Sequence, residues 1–335
     1  MGGNGFSSPL REGGAFRLSA LFATKGVTDI HVAFTSSPDP GKMTGWFRRS
    51  GILIQVGEFI DDSAASGIQW PDIFSLKDLA GLPDLDSIPD KSMTLPDGSR
   101  LRISVRSGFG GNVVQVFFRT LPKDIPPVAS RLADILAPAS SPAPGIMLVS
   151  GLTGSGKSTL LASMVQGYLE SGGAHIVTIE DPIEYLFKGT SFGYASQRDV
   201  GRDVPSFAEG VKRTLREDPD VIMVGEIRDS ETAIAALTAA ETGHMVLATV
   251  HAPGCFGAID RYLALLGSDE YQAMRLSHAY LGGVHIETSA GGDGRVLREY
   301  EAFFNNDASR THIRERKTHQ LGQARNVVLR KTLED

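Results

Sequence analysis

Apolar positions along this chain change their rhythm near residue 145. Before it, four short runs rich in β-branched and aromatic residues (DIHVAF, GILIQVG, RLRISVRS and NVVQVFFRT) are separated by turn formers such as LPDGSR. Runs of this kind predict strands. FRLSALFATKG, from Phe16, has helical spacing and predicts a helix ahead of them. Residues 15–121 are therefore expected to form a small α+β domain behind a short tail, 1–14. Residues 122–145 place Pro122, Pro126, Pro127, Pro138, Pro142 and Pro144 around one helical stretch, VASRLADIL. That is the composition of an interdomain linker or of an exposed loop. From 146 to 335 the pattern alternates. IMLVS, HIVTIE (175–180), VIMVGE (221–226) and HMVLATV (244–250) are apolar almost throughout, and helical segments start from Lys157, Ser206 and Ser230. Strands without polar alternation are buried on both faces, so this region predicts a parallel sheet covered by helices on both sides, an α/β fold.

Ligands of such sheets bind at the carboxyl ends of the strands. Each polar motif of the second region falls at one. After IMLVS comes Gly151-Leu152-Thr153-Gly154-Ser155-Gly156-Lys157-Ser158-Thr159, a complete phosphate-binding P-loop between a strand and a helix. Its glycines let successive amide N–H groups face one anion, and the helix N-terminus adds its positive dipole. Lys157 is expected to reach the β- and γ-phosphates and the Ser158 hydroxyl to hold Mg²⁺. After HIVTI comes Glu180-Asp181-Pro182-Ile183-Glu184-Tyr185. Hydrolysis of a γ-phosphate needs a carboxylate to orient or deprotonate water, and Glu184 is the expected group. Glu180 and Asp181 are expected to assist through metal-bound water or by fixing the turn. After VIMV, Gly225 stands where P-loop proteins usually place an aspartate, and Glu226 follows it. Glu226 is expected to hold Mg²⁺ through water or to position the nucleophile. Arg228 and Asp229 are adjacent and are expected to pair with each other. His251, at the end of GHMVLATVH, is placed to sense the γ-phosphate by a hydrogen bond. Arg102 and Arg119 lie on strands of the first region. Spacing alone leaves two readings for them: sheet-surface charges, or fingers that neutralise a γ-phosphate, if need be in a neighbouring subunit.

Composition narrows the class further. The 335 residues are enough for about two domains. A net charge of −6 is not a nucleic-acid footprint. The basic stretch from Arg310 to Lys331 reads as a solvated helix face with a basic end. No apolar run approaches the ~18 residues that span a bilayer, and MGGNGFSSPLREGG lacks the apolar core of a secretory signal. Cys255 is the single cysteine, which excludes an internal disulfide and a tetracysteine zinc site and fits a reducing, cytoplasmic setting.

Taken in order, these motifs resemble the secretion ATPase superfamily, which drives type IV pili, type II secretion and part of type IV secretion. GLTGSGKST matches its P-loop and TIEDPIEY its aspartate box, which implies that Glu184 is catalytic. LREDPDVIMVGEIRDSETAIAALTAAETGH matches its second nucleotide motif, with Glu226, and GHMVLATVH its histidine box, with His251. VTDIHV, RLRISV and VFFRTLP resemble N-terminal segments that bring arginines to a neighbour's nucleotide, which implies that role for Arg102 and Arg119. RTHIRERKTHQLGQ looks like a segment of the PilT-like pilus retraction group. The resemblance implies a RecA-like P-loop NTPase domain with a smaller PAS-like N-terminal domain. It also implies ATP and Mg²⁺ as cofactors, and a homo-hexamer with shared sites. A platform protein of the inner membrane is the implied partner, from a cytoplasmic and membrane-peripheral location, with no direct nucleic-acid contact. HAPGCFGAID after the histidine box, Val284–Glu287, and Ala308–Glu315 depart from the retraction group's pattern. A type IV secretion or conjugation ATPase of the same superfamily is therefore the alternative. A nucleic-acid translocating ring and a small-molecule kinase are more distant ones.

Overall fold

The computed structural model describes residues 11–12, 15–17, 27–35, 43–49, 52–60, 91–94, 100–108, 113–191, 193–267, 269–290, 296–322 and 329–334. Contacts divide the chain into two compact units, Met1–Lys123 and Asp124–Asp335.

The first unit holds β1 (Arg11–Glu12), β2 (Ala15–Arg17), β3 (Val27–Thr35), β4 (Met43–Arg49), β5 (Ile52–Ile60), β6 (Lys91–Thr94), β7 (Arg100–Gly108) and β8 (Val113–Leu121). They form one sheet in the order β1-β2-β5-β4-β3-β8-β7-β6. Alternate positions of β3, β7 and β8 make its buried face: Ile30, Leu101, Ile103, Val116 and Phe118 are almost completely covered. The four expected strands fall on β3, β5, β7 and β8. The helix expected from Phe16 does not start there, because Phe16 pairs with Phe59 of β5 in a parallel ladder. The rest of that stretch, 18–26, lies outside the described residues, as do 1–10 and 13–14 of the expected tail 1–14, whose Arg11–Glu12 forms β1 against β2. Strands β4 (MTGWFRR) and β6 (KSMT) were not anticipated, since neither carries an apolar alternation.

The second unit opens with two short helices, α1 (Val128–Arg131) and α2 (Ala133–Leu136). Strand β9 (Gly145–Gly151) leads through the P-loop into α3 (Lys157–Gly172). Then come β10 (His175–Glu180), β11 (Tyr194–Asp199), α4 (Phe207–Thr214), β12 (Val221–Val224), α5 (Ser230–Glu241) and β13 (Met245–Val250). The chain continues with α6 (Gly254–Leu265), α7 (Glu270–Ala279), β14 (Tyr280–Ala290), β15 (Val296–Phe304), α8 (Asp307–Arg314) and β16 (Leu329–Glu334). The sheet order is β11-β10-β12-β13-β9-β14-β15-β16. Pairing is parallel from β11 to β14 and antiparallel for β15 and β16.

The central strands are buried on both faces for a plain reason: Ile146–Val149, Val221–Val224 and Met245–Ala248 expose at most 4% of any side chain. One face is covered by α1, α2 and α3 through Leu132, Leu136, Leu161, Val165 and Leu169. Helices α4 to α8 cover the other, where the alanines of α5 (Ala233, Ala236, Ala239 and Ala240) allow close approach. The 122–145 segment is packed rather than free-standing from Val128 on. The Tyr168 hydroxyl of α3 donates to the Ala139 carbonyl (2.7 Å), and the Ala129 N–H donates to Ser163 Oγ of α3 (2.8 Å). The basic stretch 310–331 is not one helix face. Helix α8 ends at Arg314, a 3₁₀ turn covers Thr318–Gln320, and Leu329–Glu334 is a strand on β15. No helix among the described residues is long and apolar enough to cross a membrane.

Candidate nucleotide site

Strand β9 ends in Gly151 at φ 149°, and Gly156 caps α3 at φ 101°, both conformations that side chains rarely adopt. A β-carbon on Gly151 would stand 2.5 Å from the Ile286 carbonyl and 2.6 Å from Ser155 Oγ, so only glycine lets β9 pass so close to β14. The loop between them is held from inside. Lys157 Nζ donates to the carbonyls of Gly151 (3.0 Å) and Leu152 (2.9 Å), two of its three donors. Ser155 Oγ is buried and has no hydrogen-bond partner. Thr153, Gly154 and Ser158 are exposed, and Gly156 and Thr159 are half-buried. A loop turned around a lysine, with a helix N-terminus behind it and a hydroxyl at its open side, fits a nucleoside polyphosphate and its magnesium ion.

Burial lowers the pKa of Lys157, and the charges of Glu226 and Glu184 oppose that. Both expected carboxylates therefore act on the P-loop ammonium, although 27 and 69 residues separate them from it in sequence. Glu184 is carried by the turn after β10. Its N–H points to Glu180 Oε2 at 3.4 Å, and the next residue, Tyr185, meets Thr159 Oγ1 of the P-loop through its hydroxyl at 2.9 Å. Glu226 follows β12. Thr249 Oγ1 donates to the Gly225 carbonyl (2.5 Å) and the Ile227 N–H donates to the Thr249 carbonyl (2.9 Å), so the ends of β12 and β13 are stitched together. His251 Nε2 consequently stands 3.2 Å from Glu226 Oε1. Arg228 donates to the other oxygen, Oε2, at 2.6 Å. The expected Arg228–Asp229 pair does not form. Asp229 caps α5 instead, accepting from the Thr232 N–H (2.8 Å) and hydroxyl (3.1 Å).

Glu180 is a structural member of the turn. It is 6% exposed, and its Oε1 accepts from the Thr178 hydroxyl (2.6 Å) and the Gln197 amide (3.2 Å). Burial, the largest cause, pushes its pKa up to about 7 from an ordinary value of 4.5, against the pull of those donors. A carboxyl whose folded pKa lies above its unfolded one stabilises the fold only while protonated. Stability is thus expected to fall as pH rises from about 4.5 to 7, by up to about 3 kcal/mol for this group. Urea unfolding of Glu180→Gln between pH 5 and 8.5 is expected to lack this component and to gain most at pH 8. An unchanged slope against pH would show that Glu180 stays ionised in the fold.

In the first unit Arg102 and Arg119 stand directly opposite each other on β7 and β8, on the face away from the core. Like charges in that register repel. Arg119 is 63% exposed and bonds Asp29 of β3 at 2.7 Å, so the row reads acid, base, base across three strands.

Two further groups stand at the loop, neither given a role by the sequence; His285 shows there only as part of the departing segment Val284–Glu287. His285 of β14 joins three elements: its Nδ1 lies 3.0 Å from Ser150 Oγ of β9 and accepts the Gly254 N–H at the start of α6 (3.1 Å). Arg298 of β15 reaches Gly156, where a β-carbon would stand 3.4 Å from its Nε. Position in a strand of unremarkable composition hides Arg298. Tyr185 was visible only as the end of an acidic run.

Residues 127–286 match the family model of type II/IV secretion system proteins. The Escherichia coli K12 protein YggR is 41% identical over 239 residues, 69% of this chain and 71% of that one. The type IV pilus retraction ATPase PilT of Pseudomonas aeruginosa is 38% identical over 241 residues, 70% of this chain and 68% of its own. Among solved structures, the pilus retraction motor PilT with bound ADP superposes with a TM-score of 0.74 at 31% identity, covering 92% of this chain and 89% of that one. Its fold is the α/β architecture of those ATPases, with the parallel sheet that a RecA-like domain has. With a P-loop, two acids and a histidine gathered at the strand ends of such a sheet, the chain belongs to the type II/IV secretion system protein family.

Proposed function

We propose that this chain is an ATP-hydrolysing motor subunit of a type IV pilus or secretion machine, most similar in its role to the pilus retraction ATPases. The observation that carries the reading is the convergence of Glu184 and Glu226 on Lys157. A P-loop alone binds; a P-loop whose ammonium feels the charge of two carboxylates from separate strand ends has the parts for hydrolysis.

Bound ATP with Mg²⁺ supplies the scissile phosphoanhydride. Gly151, Thr153, Gly154, Ser155, Gly156, Lys157, Ser158 and Thr159 form the cradle, and Lys157 neutralises phosphate charge. The Ser158 hydroxyl and Glu226 would hold Mg²⁺, which would supply positive charge to the phosphates. Glu184 orients the attacking water and takes its proton. His251, bonded to Glu226, reports whether the γ-phosphate is present. Arg102 and Arg119 come from the next copy of the chain, where a pair of like charges on one sheet face gains from an anion laid between them. Six copies form the ring, at the cytoplasmic side of an inner membrane, and act on a platform protein without touching nucleic acid. A type IV secretion ATPase shares all of this chemistry, and the matching family model is that of type II/IV secretion system proteins.

The sharing of sites is tested by mixing. Arg119→Ala and Lys157→Ala chains, each inactive alone, are expected to regain part of the phosphate release when combined, because some interfaces then hold one intact cradle and one intact arginine. Complete absence of rescue in verified mixed rings would place Arg119 in its own subunit's site or in none.

A further inference from the structure

The sheet order sorts the groups around the P-loop. On one flank of β9 lie β13, β12 and β10, which end in His251, Glu226 and the turn that carries Glu184. On the other flank lie β14 and β15. The hydrolytic groups all come from the first flank, so the γ-phosphate end of a nucleotide belongs there. From the second flank Arg298 of β15 reaches the loop. Its Nε and Cδ stand 3.4 and 3.8 Å from where a β-carbon of Gly156 would be. It shares a sheet face with Tyr300 and Ala302, which pack with α3, and is therefore on the same side as the helix that the loop feeds. Tyr185 lies within reach of the same charge: burial raises its phenol pKa, and the Arg298 guanidinium pulls it down. The Tyr185 hydroxyl is bonded to Thr159. Arg298 thus faces the first turn of α3 between Gly156 and Thr159, where backbone N–H groups are aimed at phosphate oxygens.

We propose that Arg298 is a second in-chain cation of the phosphate cradle, gripping the α- and β-phosphates of the nucleotide from the β14–β15 side. The inference rests on nucleotide binding at the P-loop. It divides the work between two cations. Lys157 lies under the influence of Glu184 and Glu226, on the side where the γ-phosphate is lost. Arg298 is on the side that ADP still occupies after hydrolysis. A planar guanidinium suits two phosphate oxygens at once. Its loss should weaken ADP and ATP alike, whereas a group dedicated to the γ-phosphate would affect ATP alone.

Titration calorimetry at fixed salt is the test, with ADP and with a non-hydrolysable ATP analogue. Arg298→Gln is expected to raise both Kd values by roughly tenfold, and Arg298→Lys by less, since a single hydrogen bond to charge remains. If wild type binds ADP and Arg298→Gln stays within twofold of it, the inference fails and the P-loop reading stands. If wild type binds neither nucleotide, both fail. A second measurement needs no variant. In the wild-type chain, saturating ADP is expected to protect Arg298 from phenylglyoxal modification read by mass spectrometry, and modification at an unchanged rate would overturn the assignment.

Discussion

Glu184→Gln is expected to bind ATP with near-wild-type affinity and to release phosphate roughly 10²–10⁴ times more slowly, the usual contribution of a positioned acid–base group. The amide keeps the size of the side chain and hence the turn, whose geometry is fixed elsewhere: by the Tyr185–Thr159 bond and by the bonds of Glu180 to Thr178 and Gln197. What the amide cannot do is accept the proton of water. Single-turnover phosphate release beside an ATP-binding isotherm separates the two quantities. Turnover within threefold of wild type would move the role of base to another carboxylate, with Glu226 next in line, because it also acts on Lys157.

Lys157→Ala is expected to cost more at the binding step. It removes the cation from the cradle, and charge-assisted bonds of roughly 1.5–3 kcal/mol each translate into a loss of about 10²-fold or more in nucleotide affinity. It also leaves the Gly151 and Leu152 carbonyls without the donor that holds the loop. The effect should therefore appear for ADP as well as ATP, and in the ligand-free chain as faster amide exchange over 151–156. Normal affinity in this variant would end the P-loop reading, whatever the turnover.

How far the residues announced this arrangement depends on the kind of signal. The parallel strands were legible because an unbroken apolar run has few other uses: VIMV is β12 from end to end. The P-loop was legible because its glycines, lysine and hydroxyl are each required by one ligand. The edges were not. Strand β11 reads YASQRD, with no apolar pattern, and is a strand because β10 offers it a full parallel ladder. Strand β16, LRKTLE, is likewise recruited by β15. Pairing across the chain decided those segments, and local composition cannot report it. The same holds for charge partners. Arg228 is next to Asp229 in sequence, yet the extended backbone that makes Asp229 a helix cap leaves Arg228 to Glu226. His285 and Arg298 are at the loop only because β14 and β15 are, and that follows from topology.

The helical segment ahead of β9 sets a mechanical limit. Tyr168 and Ser163 fasten Ala139 and Ala129 to the helix that grows out of the P-loop. Val128, Leu132, Ile135 and Leu136 bury their side chains in the same core. Everything from about residue 128 onward is thus geared to the phosphate cradle, and the pivot between the two units shrinks from two dozen residues to the handful that precede α1. Proline at 122, 126 and 127 stiffens even those. In the proposed motor, a joint of so few residues would leave little slack between the nucleotide and the stroke.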